Sequence, residues 1–380
     1  MMAIRSCVSY CVLAAVIAAA FFAPYVEAKQ PGGSKSKPAW AMLGRDAGRT
    51  GLGPEMRAQV WGERCHVDVG SRVFDSPVIT DDGMMYVGTE AGWVYKLDSS
   101  CGIVWQALVT GPVVSPAIAQ DGTVLVPSGD GIQAFSPSGA VLWTFTTGAF
   151  VDRPAIVQPG IVYAPSHDGT LYALDLAGNE VWSTFLGGRL SWPAVGTDGT
   201  IYVAPVGGVV TALNPDGTIK WTAATGCTGL GSFCEHRPSV NDHGVFVGAD
   251  DGLVYAFAFD GTVRWTYDTG MVNSEAGLAL AQNGDVCLGS HTGQVVCLDG
   301  AGVPRWTWAA PGSLGAPVLA GKSYVVAGDS TGTLTILDAS GDPVFTFSTT
   351  GFIRWGASIH KDDSIYFGTY GGLVHVLEPR

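Results

Sequence analysis

The sequence predicts an all-β protein, an eight-bladed β-propeller of four-stranded antiparallel blades arranged in a closed ring. Three observations predict this fold. A strand-only unit of about 39 to 44 residues, the size of one propeller blade, recurs along the chain. An aromatic residue occupies the same place near the end of these units. An extra strand ahead of the first complete unit compensates for a strand that is missing from the last unit.

The repeat unit has a fixed internal order. It opens with a short strand around a proline or alanine, and these positions are Pro77, Pro116, Pro154, Pro193, Pro238, Ala276, Pro317 and Ala357. Two apolar strands follow, joined by a turn with a glycine, which tolerates positive φ without a Cβ penalty. The fourth strand carries an aromatic residue, at Trp105, Trp143, Trp182, Trp221, Trp265, Trp306 and Phe345. We expect these aromatic side chains to pack one blade against the next.

The middle strands are apolar at consecutive positions, as in Val245-Phe246-Val247-Gly248. A strand of this kind must bury both of its faces, whereas a half-exposed strand alternates apolar and polar residues. Small sheets that stack face to face around an axis bury both faces of each middle strand. The pattern therefore favours a propeller over a single open sheet.

The two ends of the chain predict how the ring closes. The last unit, from Ala357 to Leu377, contains three strands and stops before a fourth-strand aromatic. The segment Val60-Trp61 lies ahead of the first complete unit and supplies the missing strand. If this N-terminal strand completes the last sheet, eight aromatic strands serve eight blades and no open edge remains between first and last blades.

The N-terminal residues predict export. Arg5 precedes an apolar stretch over residues 12–22, and Val26-Glu27-Ala28 has the small-residue pattern of a signal-peptidase site. The alternative is a membrane anchor, but the stretch is shorter than the ~20 residues that a spanning helix needs. We therefore expect a signal peptide at 1–28, a flexible linker at 29–38, and the propeller at 39–380. This organisation predicts a secreted or periplasmic protein without a transmembrane segment after signal removal.

The net charge of the chain indicates which classes of partner it can bind. The net charge is −13, and a chain of that sign repels phosphate backbones, which argues against nucleic acid. We expect a monomer whose partner is a protein or an envelope component.

Six cysteines remain after signal removal, an even number in an oxidising compartment. Cys227 and Cys234 bracket a glycine-containing loop, and we favour a disulfide between them. Cys287 and Cys297 lie on consecutive strands at similar distances from a turn, so a cross-strand disulfide is an open possibility. The partners of Cys65 and Cys101 stay unassigned, and free buried thiols are the alternative for all six. No cysteine or histidine spacing indicates zinc, and the seven histidines are scattered singly.

Two motifs resemble the pyrroloquinoline quinone (PQQ) repeat family. One is the aromatic strand followed by Thr-Gly, as in Trp143-Thr-Phe-Thr-Thr-Gly148. The other is the Tyr-Val-Gly…Gly-x-Val-Tyr-x-Leu-Asp block. The segment from Trp40 to Gly51 is also similar to the lead-in of many such propellers. The resemblance covers roughly residues 39–380, and what it implies most specifically is the fold.

The resemblance to the PQQ repeat family does not predict an activity. Members of the family include quinoprotein alcohol dehydrogenases, the lipoprotein subunit of the outer-membrane β-barrel assembly machinery, and sensor domains of kinases. The enzymes have adjacent cysteines over the quinone and a calcium site with an aspartate base, and this sequence matches neither feature. We therefore expect no catalytic residues, no metal and no cofactor, with PQQ and calcium as the alternative. The anchoring N-terminal cysteine of the assembly lipoproteins is also unmatched.

Propellers usually bind ligands where the inner strands begin, at the mouth of the central channel. Six side chains ahead of these strands form our candidate binding site: Arg153, Trp192, His236, Arg237, Glu275 and Trp355. Arginine suits carboxylates or phosphates, and tryptophan suits planar or apolar groups. The alternative interpretation is that these groups pair with one another, Arg153 with Asp152 or Asp75 and Arg237 with Glu275, and plug the channel.

The sequence favours a binding scaffold over an enzyme. We expect a secreted or periplasmic propeller that presents its loops to a protein or an envelope ligand. A quinone-dependent oxidoreductase with its cofactor at the channel mouth and a carbohydrate-binding propeller are the alternative functions.

Overall fold

Each repeat unit forms a four-stranded antiparallel sheet, and eight such sheets make up the propeller. The computed structural model describes residues 38–42, 44–58, 60–157, 160–226, 236–249, 251–270, 277–315, 317–354 and 356–380. Every regular element within these ranges is a β-strand. A helix of the length and apolar character needed to cross a bilayer is not found among the described residues. The predicted signal peptide and linker lie outside them, apart from Pro38, which begins the first strand.

The strands follow the chain blade by blade. Three of them precede the first complete blade: β1 (Pro38–Trp40), β2 (Leu52–Gly53) and β3 (Trp61–Asp68). Blades 1 and 2 contain β4 (Val78–Thr80), β5 (Met85–Gly88), β6 (Trp93–Leu97), β7 (Ile103–Leu108), β8 (Ala117–Ile118), β9 (Val124–Pro127), β10 (Gly131–Phe135) and β11 (Val141–Thr146). Blades 3 and 4 contain β12 (Ala155–Val157), β13 (Ile161–Pro165), β14 (Thr170–Leu174), β15 (Glu180–Phe185), β16 (Ala194–Val195), β17 (Ile201–Val203), β18 (Val209–Leu213) and β19 (Ile219–Ala224).

The second half of the ring repeats this order. Blades 5 and 6 contain β20 (His236–Asn241), β21 (Gly244–Ala249), β22 (Leu253–Phe257), β23 (Val263–Asp268), β24 (Leu278–Leu280), β25 (Val286–Gly289), β26 (Gln294–Leu298) and β27 (Pro304–Ala309). Blades 7 and 8 contain β28 (Val318–Ala320), β29 (Tyr324–Gly328), β30 (Thr333–Asp338), β31 (Pro343–Ser348), β32 (Ser358–Ile359), β33 (Ile365–Gly368) and β34 (Leu373–Pro379). The first strand of each blade is innermost, and the innermost strands of blades 2 to 7 contact one another in succession.

The ring closes as the sequence predicts. Strand β3 pairs antiparallel with β34, with Trp61 opposite Pro379 and Asp68 opposite Leu373, and thereby completes blade 8. Trp61 is buried, and its indole Nε1 donates a hydrogen bond of 2.9 Å to the carbonyl of Asp363. The prediction of eight four-stranded blades closed by an N-terminal strand is therefore confirmed.

The fourth-strand tryptophans connect neighbouring blades, as expected. Trp143 of blade 2 donates its indole hydrogen to the carbonyl of Leu176 in blade 3, at 2.8 Å. The same ring lies over Gly178, where an added Cβ would approach it to 2.6 Å. Trp182, Trp221 and Trp265 make the equivalent pair of contacts with Pro215 and Gly217, Phe259 and Gly261, and Gly300 and Gly302. Each junction therefore combines a flat ring, a bare glycine and one directional hydrogen bond.

Two disulfides lie within the described residues. Cys287 of β25 and Cys297 of β26 are cross-strand neighbours joined at a Cα–Cα distance of 4.1 Å. Cys65 of β3 is joined to Cys101, in the turn after β6, at 6.0 Å. The second bridge, whose partners the sequence leaves unassigned, links the closing strand of blade 8 to blade 1. Cys227 and Cys234 lie outside the described residues.

The contact between Trp143 and Gly178 gives a stability prediction. Replacing Gly178 by alanine adds a methyl group against the indole at a φ of +84°. We expect Gly178→Ala to lower the free energy of unfolding by about 1–3 kcal/mol more than a matched control, because overpacking adds to backbone strain. The control is Gly187→Ala, where φ is +77° but nothing lies within 4 Å of the new Cβ. Urea unfolding of both variants is the measurement, and equal losses would contradict the packing role.

Candidate functional site

The central channel is occupied by the chain's own N-terminal portion, which we call the channel segment (residues 38–42 and 44–58). Innermost strands have one edge that faces the channel, and the N–H groups on that edge need acceptors. The channel segment supplies them. The amides of Ile118, Val195, Val240, Leu280 and Leu319 donate to the carbonyls of Ala41, Ala47, Gly48, Thr50 and Gly51, at 2.7–3.0 Å. Strand β1 pairs with β4 of blade 1, and β2 runs parallel to β28 of blade 7.

The side chain of Arg49 connects the channel segment to blades 3 and 4 by hydrogen bonds. Its side chain is buried, its Nη2 donates to the carbonyls of Arg153 and Pro154, and its Nε donates to the carbonyl of Pro193, all at 3.0–3.1 Å. Burial, and then the nearby charge of Arg153, lower the pKa of Arg49 to about 10. Arg49 therefore keeps its positive charge at neutral pH. This role of Arg49 was not predicted from the sequence, although the residue lies in the segment from Trp40 to Gly51 that resembles the family's lead-in.

Arg153 makes the ion pairs that the alternative interpretation of the candidate site describes. Its Nε lies 2.7 Å from Asp75 Oδ2 and its Nη2 lies 3.1 Å from Asp75 Oδ1, so the contact is bidentate. Its Nη1 lies 2.9 Å from Asp152 Oδ1. Burial raises the pKa of Asp75, and the charge of Arg153 opposes that rise. Asp75 precedes blade 1 and Arg153 precedes blade 3, so the pair connects two blades across blade 2 at the channel mouth.

Trp192, which precedes blade 4, contacts one arginine from blade 3 and one from blade 5. The guanidinium carbon of Arg153 lies 4.4 Å from the centre of its ring, and that of Arg237 lies 4.8 Å away. Both distances are in the range of cation–π contacts. The structure therefore brings together three of the six predicted residues, one from each of blades 3, 4 and 5.

A small cavity opens at this end of the channel, which we call the mouth cavity. It has a volume of about 50 Å³ and is lined by Trp192, Arg237, Ser76 and Ser239 together with Arg49 and Gly51 of the channel segment. On this measure one water molecule needs roughly 10–15 Å³, so the cavity has room for about four. The channel segment forms part of its wall and limits its size.

His236 does not share the mouth cavity. Successive residues of a strand point to opposite faces, so Arg237 reaches the cavity and His236 faces away from it. His236 is fully buried, and its Nε2 lies 2.7 Å from the Thr225 hydroxyl oxygen. The remaining two predicted residues, Glu275 and Trp355, lie outside the described residues.

Positive charges outnumber negative ones among the described groups at the mouth. Four arginines, Arg49, Arg153, Arg237 and Arg354, stand against three aspartates, Asp46, Asp75 and Asp152. Arg354 is close enough to lower the pKa of Asp75, although burial and Arg153 have larger effects. A chain with a net charge of −13 thus concentrates cationic groups at one end of its channel.

A second group of side chains lies beside the mouth, where blade 8 meets blade 1. We call it the aromatic–arginine cluster, and its members are Arg72, Phe74, Phe352, Arg354 and Tyr370. The rings of Phe74 and Phe352 meet Tyr370 edge-on, with centroids 5.7 and 5.2 Å apart. The guanidinium carbons of Arg72 and Arg354 lie 5.7 and 5.9 Å from the Tyr370 ring centre.

All five members of the cluster are at least partly exposed, and the side chain of Arg72 is the most exposed at 54%. Aromatic residues and arginine are the types enriched where proteins bind one another. Sequence reasoning missed the cluster because its residues come from opposite ends of the chain. A usable signal was present, since Phe74 directly precedes Asp75 and Arg354 directly precedes Trp355, ahead of the inner strands of blades 1 and 8.

The contacts of Arg49 give a second stability prediction. Arg49→Ala leaves three buried carbonyls without their donor, and we expect it to lower the free energy of unfolding by about 3 kcal/mol. Arg57→Ala is the control, because Arg57 belongs to the same segment but is exposed. We expect that variant to stay within about 0.5 kcal/mol of the parent. Guanidinium unfolding followed by tryptophan fluorescence measures both, and a similar small effect for each would show that Arg49 is dispensable.

Comparison with known proteins supports the fold and assigns a family. Residues 48–189, 167–276 and 270–380 match the family model described as outer membrane protein assembly factor BamB. BamB of Moranella endobia is 36% identical over 63 residues, which is 16% of each chain. BamB of Yersinia pestis is 35% identical over 77 residues, or 20% of each chain. The matched stretches thus span a fifth or less of these curated relatives.

Solved structures show the same architecture over a larger part of the chain. The crystal structure of BamB from Moraxella catarrhalis superposes with a TM-score of 0.70 at 20% identity, covering 84% of this chain and all of that one. The computationally designed Ika8 protein gives a TM-score of 0.70 at 16% identity, covering 81% and 96%. Saccharomyces cerevisiae Sqt1 gives 0.68 at 11% identity, covering 82% and 97%. At these identities the likeness concerns the fold alone.

The three matched stretches of the family model together extend from residue 48 to the end of the chain. The eight blades and the PQQ-type repeat motifs of the sequence agree with that match. The chain therefore belongs to the family of PQQ-type β-propellers whose model is described as outer membrane protein assembly factor BamB.

Proposed function

We propose that this protein is an envelope scaffold that binds a protein partner and supports the assembly of outer membrane proteins. Membership of the family described as outer membrane protein assembly factor BamB supports the proposal. The observation that carries it is the aromatic–arginine cluster. This cluster offers three rings and two guanidinium groups on the surface, outside the filled channel.

The chemistry of the cluster favours an extended protein segment that bears acidic and apolar side chains. Guanidinium groups bind carboxylates, and partly exposed aromatic edges pack against apolar side chains. The cationic mouth beside the cluster adds attraction for the same acidic segment and repels basic ones. The excess negative charge over the rest of the chain then restricts docking to this end of the ring.

We also propose that the protein acts without a bound quinone. The channel segment occupies the place where a propeller enzyme would hold its cofactor, and the described mouth cavity has room for about four water molecules. Trp192, Arg237 and the channel segment line this cavity, so a quinone bound there would have to displace them.

Position-specific photo-crosslinking tests the docking surface. A benzophenone amino acid placed at Phe74 is expected to give a discrete adduct with an envelope protein in intact cells. The same probe at Phe185 is the control, since that phenylalanine is 71% exposed on the outermost strand of blade 3. We expect no adduct there. Adducts of equal yield at the two positions would contradict docking at the cluster.

A charge reversal checks that arginine contributes to the docking. Arg72 is exposed and its nearest acidic partner, Glu90, lies 3.5 Å away, so Arg72→Glu is expected to fold normally. Combined with the probe at Phe74, it should reduce the adduct at least tenfold. An unchanged yield would mean that the partner does not use the positive charge of the cluster.

A titration tests the absence of a quinone site. Addition of PQQ and calcium at micromolar concentrations is expected to leave the tryptophan fluorescence of the purified protein unchanged after correction for absorbance. Saturable quenching that Trp192→Ala abolishes would contradict the proposal and favour the oxidoreductase.

A further inference from the structure

Two histidines that are distant in sequence lie side by side where the ring closes. His66 of β3 is directly opposite His375 of β34, because these two strands pair to complete blade 8. A register shift in β3 between Glu63 and Cys65 inserts one extra residue. That β-bulge turns Glu63 to the same face as His66, although residues three apart in a regular strand face opposite sides.

The donor atoms of these three residues converge on one point. The Nδ1 atoms of His66 and His375 lie 2.9 and 2.8 Å from the same carboxylate oxygen, Glu63 Oε1. One donor atom from each residue lies within 4.8 Å of the other two. Ligand atoms around a tetrahedral zinc ion are about 3.4 Å apart, since each is 2.0–2.2 Å from the metal. The two nitrogen–oxygen distances are about 0.5 Å shorter than this, and the donor atoms of the two histidines are at most 4.8 Å apart, so the side chains rotate when a metal ion enters between them.

His375 is held in the orientation that a metal ligand needs. Its ring is buried, with the Phe367 ring stacked at 5.0 Å and the Phe347 ring edge-on at 5.5 Å. Its second nitrogen, Nε2, lies 2.8 Å from the hydroxyl oxygen of Thr349. In metalloproteins the outer nitrogen of a ligating histidine is usually tied in this way, which fixes the orientation of the ring.

The other side of the cluster is open to solvent. The side chain of His66 is 55% exposed and that of Glu63 is 32% exposed. A metal ion can therefore enter, and water can complete its coordination. The adjacent cation, Arg64, is engaged with Glu378 at 2.8 Å and with Ser364, so its charge is partly neutralised.

We propose that Glu63, His66 and His375 form a binding site for a divalent transition-metal ion, with zinc the best match to one carboxylate and two imidazoles. The ion bridges β3 and β34, the two strands that close the ring. It therefore acts as a clasp between the N-terminal and C-terminal parts of the propeller. The proposal involves neither the mouth cavity nor the aromatic–arginine cluster, and it does not depend on the proposed docking function.

Metal titration tests the clasp. The untagged, metal-free protein is expected to bind one equivalent of Zn²⁺ with micromolar or tighter affinity in calorimetry. Cobalt(II) in place of zinc should give the visible absorption bands of a tetrahedral site. Zinc should also raise the unfolding midpoint by several degrees, because it binds the closed ring and not the unfolded chain.

His66, which is exposed, and Glu63, which is partly exposed, provide variants that are expected to fold. His66→Ala and Glu63→Gln should each weaken zinc binding at least tenfold and remove the rise of the unfolding midpoint. His243→Ala is the matched control, since it removes an exposed histidine from blade 5 and should leave both readouts unchanged. The absence of stoichiometric zinc binding, or equal binding by the parent and His66→Ala, would overturn the proposal.

Discussion

The structure depends on the backbone hydrogen bonds between the innermost strands and the channel segment. In a propeller each innermost strand has an edge that faces the axis, and its polar groups need partners there. Water fills this role in an open channel. Here carbonyls from Ala41 to Gly51 accept the amides of blades 2, 4, 5, 6 and 7, and Arg49 reaches the carbonyls of blades 3 and 4. One short segment therefore aligns most of the ring.

The filled channel limits the surface that is left for the proposed docking. Arg49 brings a cation to the channel end, and Arg153 and Arg237 stack on the ring of Trp192, which lines the same cavity. Asp75 and Asp152 balance part of that charge but also use the guanidinium of Arg153 fully. The groups that first suggested a pocket thus hold one another in place. The partly exposed rings and arginines at the junction of blades 8 and 1 are left as the surface that offers unburied contact area.

The sequence predicts the features that each blade repeats, and it is weaker for those that join distant parts of the chain. Trp143 and Gly178 recur with similar spacing in successive blades, so blade number and closure were both predictable. Of the candidate site, the contact of Arg153 with Asp75 was foreseen as an alternative. The carbonyl partners of Arg49 and the disulfide between Cys65 and Cys101 were not, because each depends on an exact register between separate blades.

The place where β3 pairs with β34 and closes the ring, which we call the closing seam, has contacts that the described residues of the other blades do not repeat. Neighbouring blades are connected by the continuous chain, but blade 8 is completed by two strands from opposite ends, β3 and β34. The disulfide of Cys65 ties β3 to blade 1 and leaves the pairing with β34 non-covalent. In a repeat structure, stability passes from neighbour to neighbour, and an opened seam exposes two blade faces at once. Interactions across β3 and β34, such as those of His66 with His375, therefore act on the stability of the whole ring.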